Sequence, residues 1–228
     1  MKYLFVIYTD LEYNEHLENF KTQNFYKQIC KDDNIEVIEW GADFHTDYKN
    51  LPIKTQEMMK WCSENKEYDY LIKCDDTIFN EKWIHYSDRL DYEKLFLNDL
   101  FEHQWEWGEE NFNIPIGEDA RNYGFTVYDN GVWGKWRKIK QVSKHYRGIN
   151  LLGLDSCDWE LYAKDHNFDN FKISNLKDIS FFEGKFYVVS KPFSIFISEQ
   201  EKFDMPGIED YMVGYYYEKF KSIRSISK

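Results

Sequence analysis

Two adjacent carboxylates, Asp75 and Asp76, directly follow the apolar run "YLIKC" at residues 70–74. Neighbouring like charges repel each other, so a pair at the end of a buried strand indicates a cation or a set of hydrogen-bond donors beside it. Carboxylate oxygens are also the ligands that Mg²⁺ and Mn²⁺ prefer. Taken alone, the pair predicts either a divalent metal site or a strand-terminal turn with solvated acids.

A second acidic pair, Glu209 and Asp210, begins the segment "EDYMVG" at residues 209–214. Acids in the first turn of a helix are stabilised by the helix dipole, so the pair alone predicts no more than the start of a helix. A carboxylate within hydrogen-bond reach of a hydroxyl group could instead act as a general base.

The elements that must position the first pair alternate between strand and helix. The predicted strands are "YLFVIYT" (3–9), "IEVIEW" (35–40) and "YLIKC" (70–74), and the predicted helices are residues 12–31 and "LPIKTQEMMKWCSEN" (51–65). The apolar face of the second helix is predicted to contain Ile53, Met58, Trp61 and Cys62. This order is typical of an α/β fold with a mainly parallel sheet flanked by helices, in which ligands bind beyond the carboxyl ends of the strands.

The second half of the chain has a different character. Asp129-Asn130-Gly131 separates two apolar-aromatic runs within residues 124–136, which is a strong hairpin signal. Residues 182–198 combine a glycine-containing loop with apolar runs, and residues 207–220 have helix-compatible spacing. Because we find no repeat, low-complexity segment or Pro/Ser-rich linker, residues 1–228 are predicted to form a single domain.

Composition excludes several classes of protein. The 228 residues are 43% hydrophobic, ample for a large core, and the net charge of −12 argues against a general nucleic-acid binder. Six Lys or Arg residues within 135–147 are a local exception that predicts a solvated face or an anion contact. No apolar run approaches the roughly 20 residues of a membrane span, and the four scattered cysteines favour reduced thiols. We therefore expect a soluble, cytoplasmic protein.

Four blocks of the sequence resemble one family, the β-1,3-galactosyltransferase and Fringe group of inverting glycosyltransferases. The blocks are "DFHTDYKNLPIKT" (43–55), "YLIKCDDTIFN" (70–80), "FEGKFYVVS" (182–190) and "EDYMVG" (209–214). In the first block, the residues that match the family pattern are Asp43, Phe44, Tyr48, Asn50, Leu51, Lys54 and Thr55. The resemblance implies a GT-A-type nucleotide-sugar-binding fold, with residues 1–80 binding the donor and residues 81–228 forming the acceptor-binding and catalytic half.

The resemblance also implies a donor site and its cofactor. Asp75 and Asp76 would hold Mn²⁺ or Mg²⁺, which bridges the diphosphate of a UDP-sugar, and Thr77, Lys54 and Lys73 would belong to the same nucleotide-sugar site. A metal there would neutralise the charge that develops on the departing diphosphate.

This sequence departs from the family pattern in three respects. Thr77 stands where the family has a third aspartate, the usual metal ligand, and no histidine follows His166 to supply another. Cationic residues can stabilise a diphosphate without a metal, so partial or complete metal independence is an alternative. The candidate cations in the tail are Lys219, Lys221, Arg224 and Lys228. The chain begins at its first strand, which predicts a cytoplasmic enzyme of bacterial or viral origin rather than a membrane-anchored one.

For catalysis, the resemblance implies that Asp210 is the general base of an inverting transfer to a glycan hydroxyl, which would convert an α-linked donor into a β-glycoside. Glu209 is the second candidate, either as the base or as a residue that orients it. Tyr187 and Ser190 are expected to form scaffold around the acceptor cleft.

Two other classes of function remain open. One is a metal-assisted nucleotidyltransferase, which would use the same kind of strand-end aspartates, and the other is a non-catalytic carbohydrate-binding protein rich in tryptophan and tyrosine. The sequence leaves the donor sugar, the acceptor and the oligomeric state undetermined.

Overall fold

A computed structural model describes residues 1–79, 127–128, 131–132, 145–148, 151–153, 176–203 and 208–226. Its main sheet has five strands in the order β2-β1-β3-β9-β6. These strands are β1 (Tyr3–Tyr8), β2 (Ile35–Trp40), β3 (Tyr70–Asp75), β6 (Tyr146–Gly148) and β9 (Phe186–Ser190). The first three pair in parallel, as the sequence predicts, whereas β9 runs antiparallel to both β3 and β6. The sheet is therefore mixed.

The remaining elements within the described residues are shorter strands, five α-helices and three short 3-10 helices. Two small antiparallel pairs join β4 (Val127–Tyr128) with β5 (Gly131–Val132) and β7 (Leu151–Gly153) with β8 (Ser180–Phe182). The first of these confirms the predicted hairpin. The helices are α1 (Asn14–Thr22), α2 (Asn24–Ile29), α3 (Leu51–Asn65), α4 (Lys191–Ser198) and α5 (Glu209–Ile226). Most of the basic segment 135–147 lies outside the described residues.

Strand β1, which lies between β2 and β3, is buried along its whole length because both sheet faces are covered. Successive side chains of a strand point to opposite faces. Phe5 and Ile7 pack in the same cluster as side chains of α1 and α2. Leu4 and Val6 pack in the other cluster, with side chains of α3, α4 and α5. This confirms the predicted α/β class with helices on both faces of the sheet.

The single helix predicted over residues 12–31 is wrong, because the structure breaks it into a short 3-10 turn and the helices α1 and α2. The break is at Gln23, whose backbone is extended. The side chains of Thr22 and Gln23 both donate to the Asn19 carbonyl, at 2.7 and 3.2 Å, and so satisfy the end of α1. Restarting the helix at Asn24 allows Phe25 to reach the core, an advantage that local spacing does not reveal.

Helix α3 has the predicted bounds, but its buried face differs from the prediction. Trp61 is 39% exposed, whereas the polar residues Lys54, Thr55 and Gln56 are buried. These polar groups find partners there: the Thr55 hydroxyl donates to the Tyr8 hydroxyl at 3.1 Å, for example. The helix therefore turns a polar surface toward the end of β1. Among the described residues, no helix combines the length and apolar character needed to cross a membrane.

Candidate functional site

The candidate site lies at the carboxyl ends of β1 and β3. The two strands pair in register with Tyr8 opposite Asp75, so Thr9 and Asp76 leave the sheet side by side. Because β9 is antiparallel, the turn that precedes it, which contains Gly184 and Lys185, reaches the same edge. The parallel pairing predicted from the sequence therefore determines the position of the aspartates, and the antiparallel strand adds two residues from the second half.

Asp76 is buried in this edge. It is only 3% exposed, and the Thr9 hydroxyl donates to its Oδ2 at 2.6 Å. Burial and the neighbouring charge of Asp75 raise the pKa of Asp76 to about 7, although the hydrogen bond from Thr9 opposes the shift. A buried carboxylate with this pKa shares its site with a proton or a cation near neutral pH.

Asp75, in contrast to Asp76, remains ionised because its neighbours are cations and hydrogen-bond donors. Burial disfavours its charge, but the ammonium groups of Lys185 and Lys73 and the hydrogen bonds from Thr77 outweigh burial and lower the pKa of Asp75 to about 2. The Thr77 backbone N–H and hydroxyl both donate to Asp75 Oδ1, at 3.2 and 2.9 Å. Lys185 Nζ lies 3.4 Å from Asp75 Oδ2.

Lys185, like Thr9, belongs to this cluster but was not predicted as a site residue from the sequence. Its Nζ donates to the Thr77 hydroxyl at 2.5 Å, and its backbone carbonyl accepts from the Asp75 N–H at 2.9 Å. The second contact fixes the backbone of the turn against the end of β3. A signal was available in the sequence, since Lys185 lies inside the block "FEGKFYVVS" between two of its matching residues, Gly184 and Tyr187.

Lys73 connects the two acidic pairs. Its side chain is 2% exposed, donates to the Gly184 carbonyl and lies 3.5 Å from Glu209 Oε2. The ammonium also lies 4.4 Å from the centre of the Tyr8 ring. Burial disfavours its charge, but Glu209 and Asp75 more than compensate, so the pKa of Lys73 is raised and the side chain stays cationic.

Both carboxylate oxygens of Glu209 are occupied. The Tyr187 hydroxyl donates to Oε1 at 2.5 Å, and Oε2 faces Lys73. A Cβ at position 184 would lie 2.7 Å from Glu209 Oε2, which explains the glycine there by close approach. Glu209 is thus held by partners on both sides, an arrangement suited to positioning its neighbour rather than to accepting a proton from a substrate.

Asp210 is more exposed than Glu209 and has fewer partners. It is half-buried, and one of its oxygens accepts the Tyr211 backbone N–H at 2.9 Å. Burial and the charges of Glu209 and Glu183 raise the pKa of Asp210 to about 7. A partly accessible carboxylate with a pKa near neutrality has the properties of a general base.

Lys54 lies beneath the end of β1. Its Nζ donates to the Thr9 carbonyl at 2.5 Å and lies 3.6 Å from Asp10 Oδ2. Burial lowers the pKa of Lys54 despite the opposing effect of Asp10. Gly41, whose φ is 98°, makes room for this contact, because a Cβ there would collide with the Thr9 carbonyl and the Lys54 ammonium. Lys54 therefore supports the backbone that carries Thr9.

The other residues expected near the site are Tyr187, Ser190 and the cations of the carboxyl-terminal tail. Tyr187 lies at the site, but Ser190 pairs with Tyr70 at the opposite end of the sheet and its hydroxyl contacts the His145 ring at 2.8 Å. Ser190 therefore lies away from the acidic pairs, and its expected role beside an acceptor cleft stays a prediction. In the tail, Lys219 is ten residues from Glu209, or roughly 15 Å along a helix. Lys221 contacts Glu218 on the exposed surface. Among the described side chains, Lys73 and Lys185 provide the positive charge beside Asp75, and the side chains of Arg224 and Lys228 lie outside that described set.

The residues at the strand ends fit a divalent metal poorly. Lys185 contacts both Asp75 Oδ2 and the Thr77 hydroxyl, Thr9 contacts Asp76 Oδ2, and Thr77 donates to Asp75 Oδ1, so four of the candidate ligand oxygens already have donors. Within the described part of the chain, no three His, Cys, Asp or Glu side chains are grouped closely enough to hold a metal ion by themselves. A site for Mn²⁺ or Mg²⁺ at Asp75 and Asp76 stays a prediction from the resemblance.

No family model matches this sequence, and no curated protein matches it significantly. The resemblance to inverting glycosyltransferases therefore depends on the four sequence blocks.

Proposed function

We propose that this protein is an inverting glycosyltransferase that transfers a hexose or N-acetylhexosamine from a UDP-sugar to a glycan hydroxyl. The observation that carries the proposal is the convergence of the two acidic pairs on one turn. Gly184 packs against Glu209, and the next residue, Lys185, contacts Asp75. The pairs are distant in the sequence, and their sequence blocks are the two that the resemblance assigns to donor binding and to catalysis.

The two sides of this turn have different chemistry. On the side of Asp75, the lysines provide positive charge at the carboxyl end of a strand, where nucleotides bind in open α/β sheets. On the other side, Asp210 provides a partly accessible base. A transferase needs both, since the leaving diphosphate gains negative charge while the acceptor hydroxyl loses a proton.

The reaction we propose is a single displacement. The acceptor oxygen forms a bond to the anomeric carbon as the bond from that carbon to the diphosphate oxygen breaks. The electron pair of the broken bond remains on the departing UDP, and the proton of the hydroxyl passes to Asp210. Because the hydroxyl attacks from the face opposite the leaving group, an α-linked donor gives a β-glycoside.

The pKa of Asp210 is suited to this role. A base is most effective when its pKa is near the working pH, since a large fraction of it is then deprotonated and it still holds a proton well. Glu209, with Tyr187 and Lys73 on its two oxygens, positions the start of α5 and thereby Asp210. Because both oxygens of Glu209 already have partners and Asp210 is partly accessible, we favour Asp210 as the base.

The direct test is a transfer assay with a panel of UDP-sugars and oligosaccharide acceptors, using the wild type and the Asp210→Asn variant. The variant should bind UDP normally yet lose transfer by about 10²–10⁴-fold. Asp33→Asn is the matched control. Asp33 is exposed in the turn before β2, at the amino ends of the parallel strands and so away from the site, and its variant should retain full activity.

Four results would contradict the proposal. Normal turnover by Asp210→Asn would exclude that residue as the base, and an α-linked product would exclude the single displacement. Thermal stabilisation by nucleoside triphosphates but not by UDP would favour a nucleotidyltransferase. If the protein bound glycans and left every UDP-sugar intact, it would be a carbohydrate-binding protein.

A further inference from the structure

We infer that Lys185 supplies the positive charge that holds the diphosphate of the nucleotide, so that UDP binding at this site requires no divalent ion. This inference rests on the proposed function, since it assigns a residue to the donor side of the same site. It replaces the cationic tail as the candidate source of charge.

The geometry at Thr77 is the first support. Lys185 Nζ lies 2.5 Å from the Thr77 hydroxyl and 3.4 Å from Asp75 Oδ2. A divalent ion bound by these two side chains would need the same oxygens. The ammonium group therefore stands where an ion shared by Asp75 and Thr77 would be, and it brings positive charge to that place.

The attachment of the turn is the second support. The Asp75 N–H donates to the Lys185 carbonyl at 2.9 Å, so the lysine is held by its backbone as well as by its side chain. The neighbouring Gly184 carbonyl accepts from the buried Lys73 ammonium. Both ends of the turn are thus fixed to β3, which limits the positions that the Lys185 side chain can reach.

Exposure is the third support. The Lys185 side chain is 19% exposed, whereas Lys73 and Lys54 are almost completely buried. An ammonium group has three donors. The contact with Asp75 at 3.4 Å is longer than the hydrogen bond to Thr77, so a phosphate oxygen can replace the Asp75 contact while Thr77 keeps the side chain in place. Of these three lysines, Lys185 is the one placed to contact a ligand from solvent.

The test is isothermal titration of the full chain with UDP, once with a chelator and once with Mn²⁺. The wild type should bind UDP with the same Kd in both. In chelator, Lys185→Ala should weaken binding by about 10- to 100-fold, the range for loss of a hydrogen bond between charged groups. Lys185→Arg keeps the charge and should lose less.

Lys191→Ala is the matched control. Lys191 has a similar exposure and contacts Glu67 at 3.9 Å, but it follows β9 at the end remote from the aspartates. Its variant should bind UDP as the wild type does. Thermal unfolding of each variant verifies that it is folded, and Lys185→Gln, which removes the charge but keeps most of the side chain, replaces the Ala variant if that variant is not.

The outcomes separate this inference from the function on which it rests. Binding of UDP in Mn²⁺ but not in chelator would overturn the role of Lys185 and leave the transferase proposal intact. Equal binding of UDP by the wild type and both Lys185 variants would also overturn the role of Lys185 without affecting the transferase proposal. If UDP bound under neither condition, both proposals would fail.

Discussion

The buried contact between Lys73 and Glu209 leads to a prediction about stability. Lys73→Met removes the cation but keeps an apolar side chain of similar length. Glu209 would then retain the Tyr187 hydroxyl as a partner but lose the charge opposite Oε2. Removing one member of a buried ion pair typically costs about 3–5 kcal/mol, because the other charge remains buried without compensation. We expect a loss of this size in the free energy of unfolding.

An exposed pair provides the matched control. Lys66 contacts Glu36 at 2.5 Å, and both side chains are partly exposed. The Lys73–Glu209 distance is longer, at 3.5 Å. If contact distance determined the energy, Lys66→Met would be the more damaging change. Because water screens the exposed pair, we expect Lys66→Met to cost at most about 1 kcal/mol.

The assay is urea unfolding followed by circular dichroism, applied to the single variants and to Lys73→Met/Glu209→Gln. The double variant buries no charge at this contact, so its loss should be smaller than the sum of the two single losses by about 1 kcal/mol or more. Equal losses for Lys73→Met and Lys66→Met would refute the reasoning. Strict additivity in the double variant would also do so.

Three further predictions concern the same site. The acidic limb of kcat/KM for transfer should have an apparent pKa near 7, because Asp210 accepts a proton only as the carboxylate and its pKa is raised to about 7; a profile that is flat from about pH 5 to 8 would contradict this. Tyr187→Phe should lower the free energy of unfolding by about 1.5–3 kcal/mol because its hydroxyl donates to the charged Glu209, whereas Tyr68→Phe, which removes a bond to a neutral serine hydroxyl, should cost about 0.5–1.5 kcal/mol. Equal losses of unfolding free energy for Tyr187→Phe and Tyr68→Phe in urea would contradict the stronger bond assigned to Tyr187. Gly184→Ala should reduce both the melting temperature and transfer, since its Cβ would lie 2.7 Å from Glu209 Oε2; an unchanged kcat would show that this packing does not position the base.

Strong local patterns predicted much of the fold. The apolar runs of β1 and β3 and the proline-initiated α3 have their predicted places, because period and composition agree with burial there. The break at Gln23 could not be read from the sequence. The residue is neither glycine nor proline, and only the packing of Phe25 against the sheet reveals why the helix restarts.

Part of the site was also predictable. Asp75 and Asp76 were found because adjacent acids after a strand are unusual, and their position follows from parallel pairing. The partners of those acids were not predictable, since Lys185 reaches Asp75 across 110 positions of sequence and depends on the antiparallel direction of β9. For the same reason the sequence could not decide between Glu209 and Asp210, whose different roles depend on Tyr187 and Lys73.

The antiparallel strand β9 has a consequence for how the chain folds. Until β9 pairs with β3, β3 is an edge strand, and an exposed edge strand is a template for aggregation. Lys73 lies in the middle of β3, and an inward-pointing lysine is a common means of protecting such an edge. The contact that buries Lys73 spans 111 positions, and contacts of such large sequence separation form slowly. We therefore expect the ammonium group that holds Glu209 in the folded protein to discourage wrong pairing of β3 before β9 adds to it.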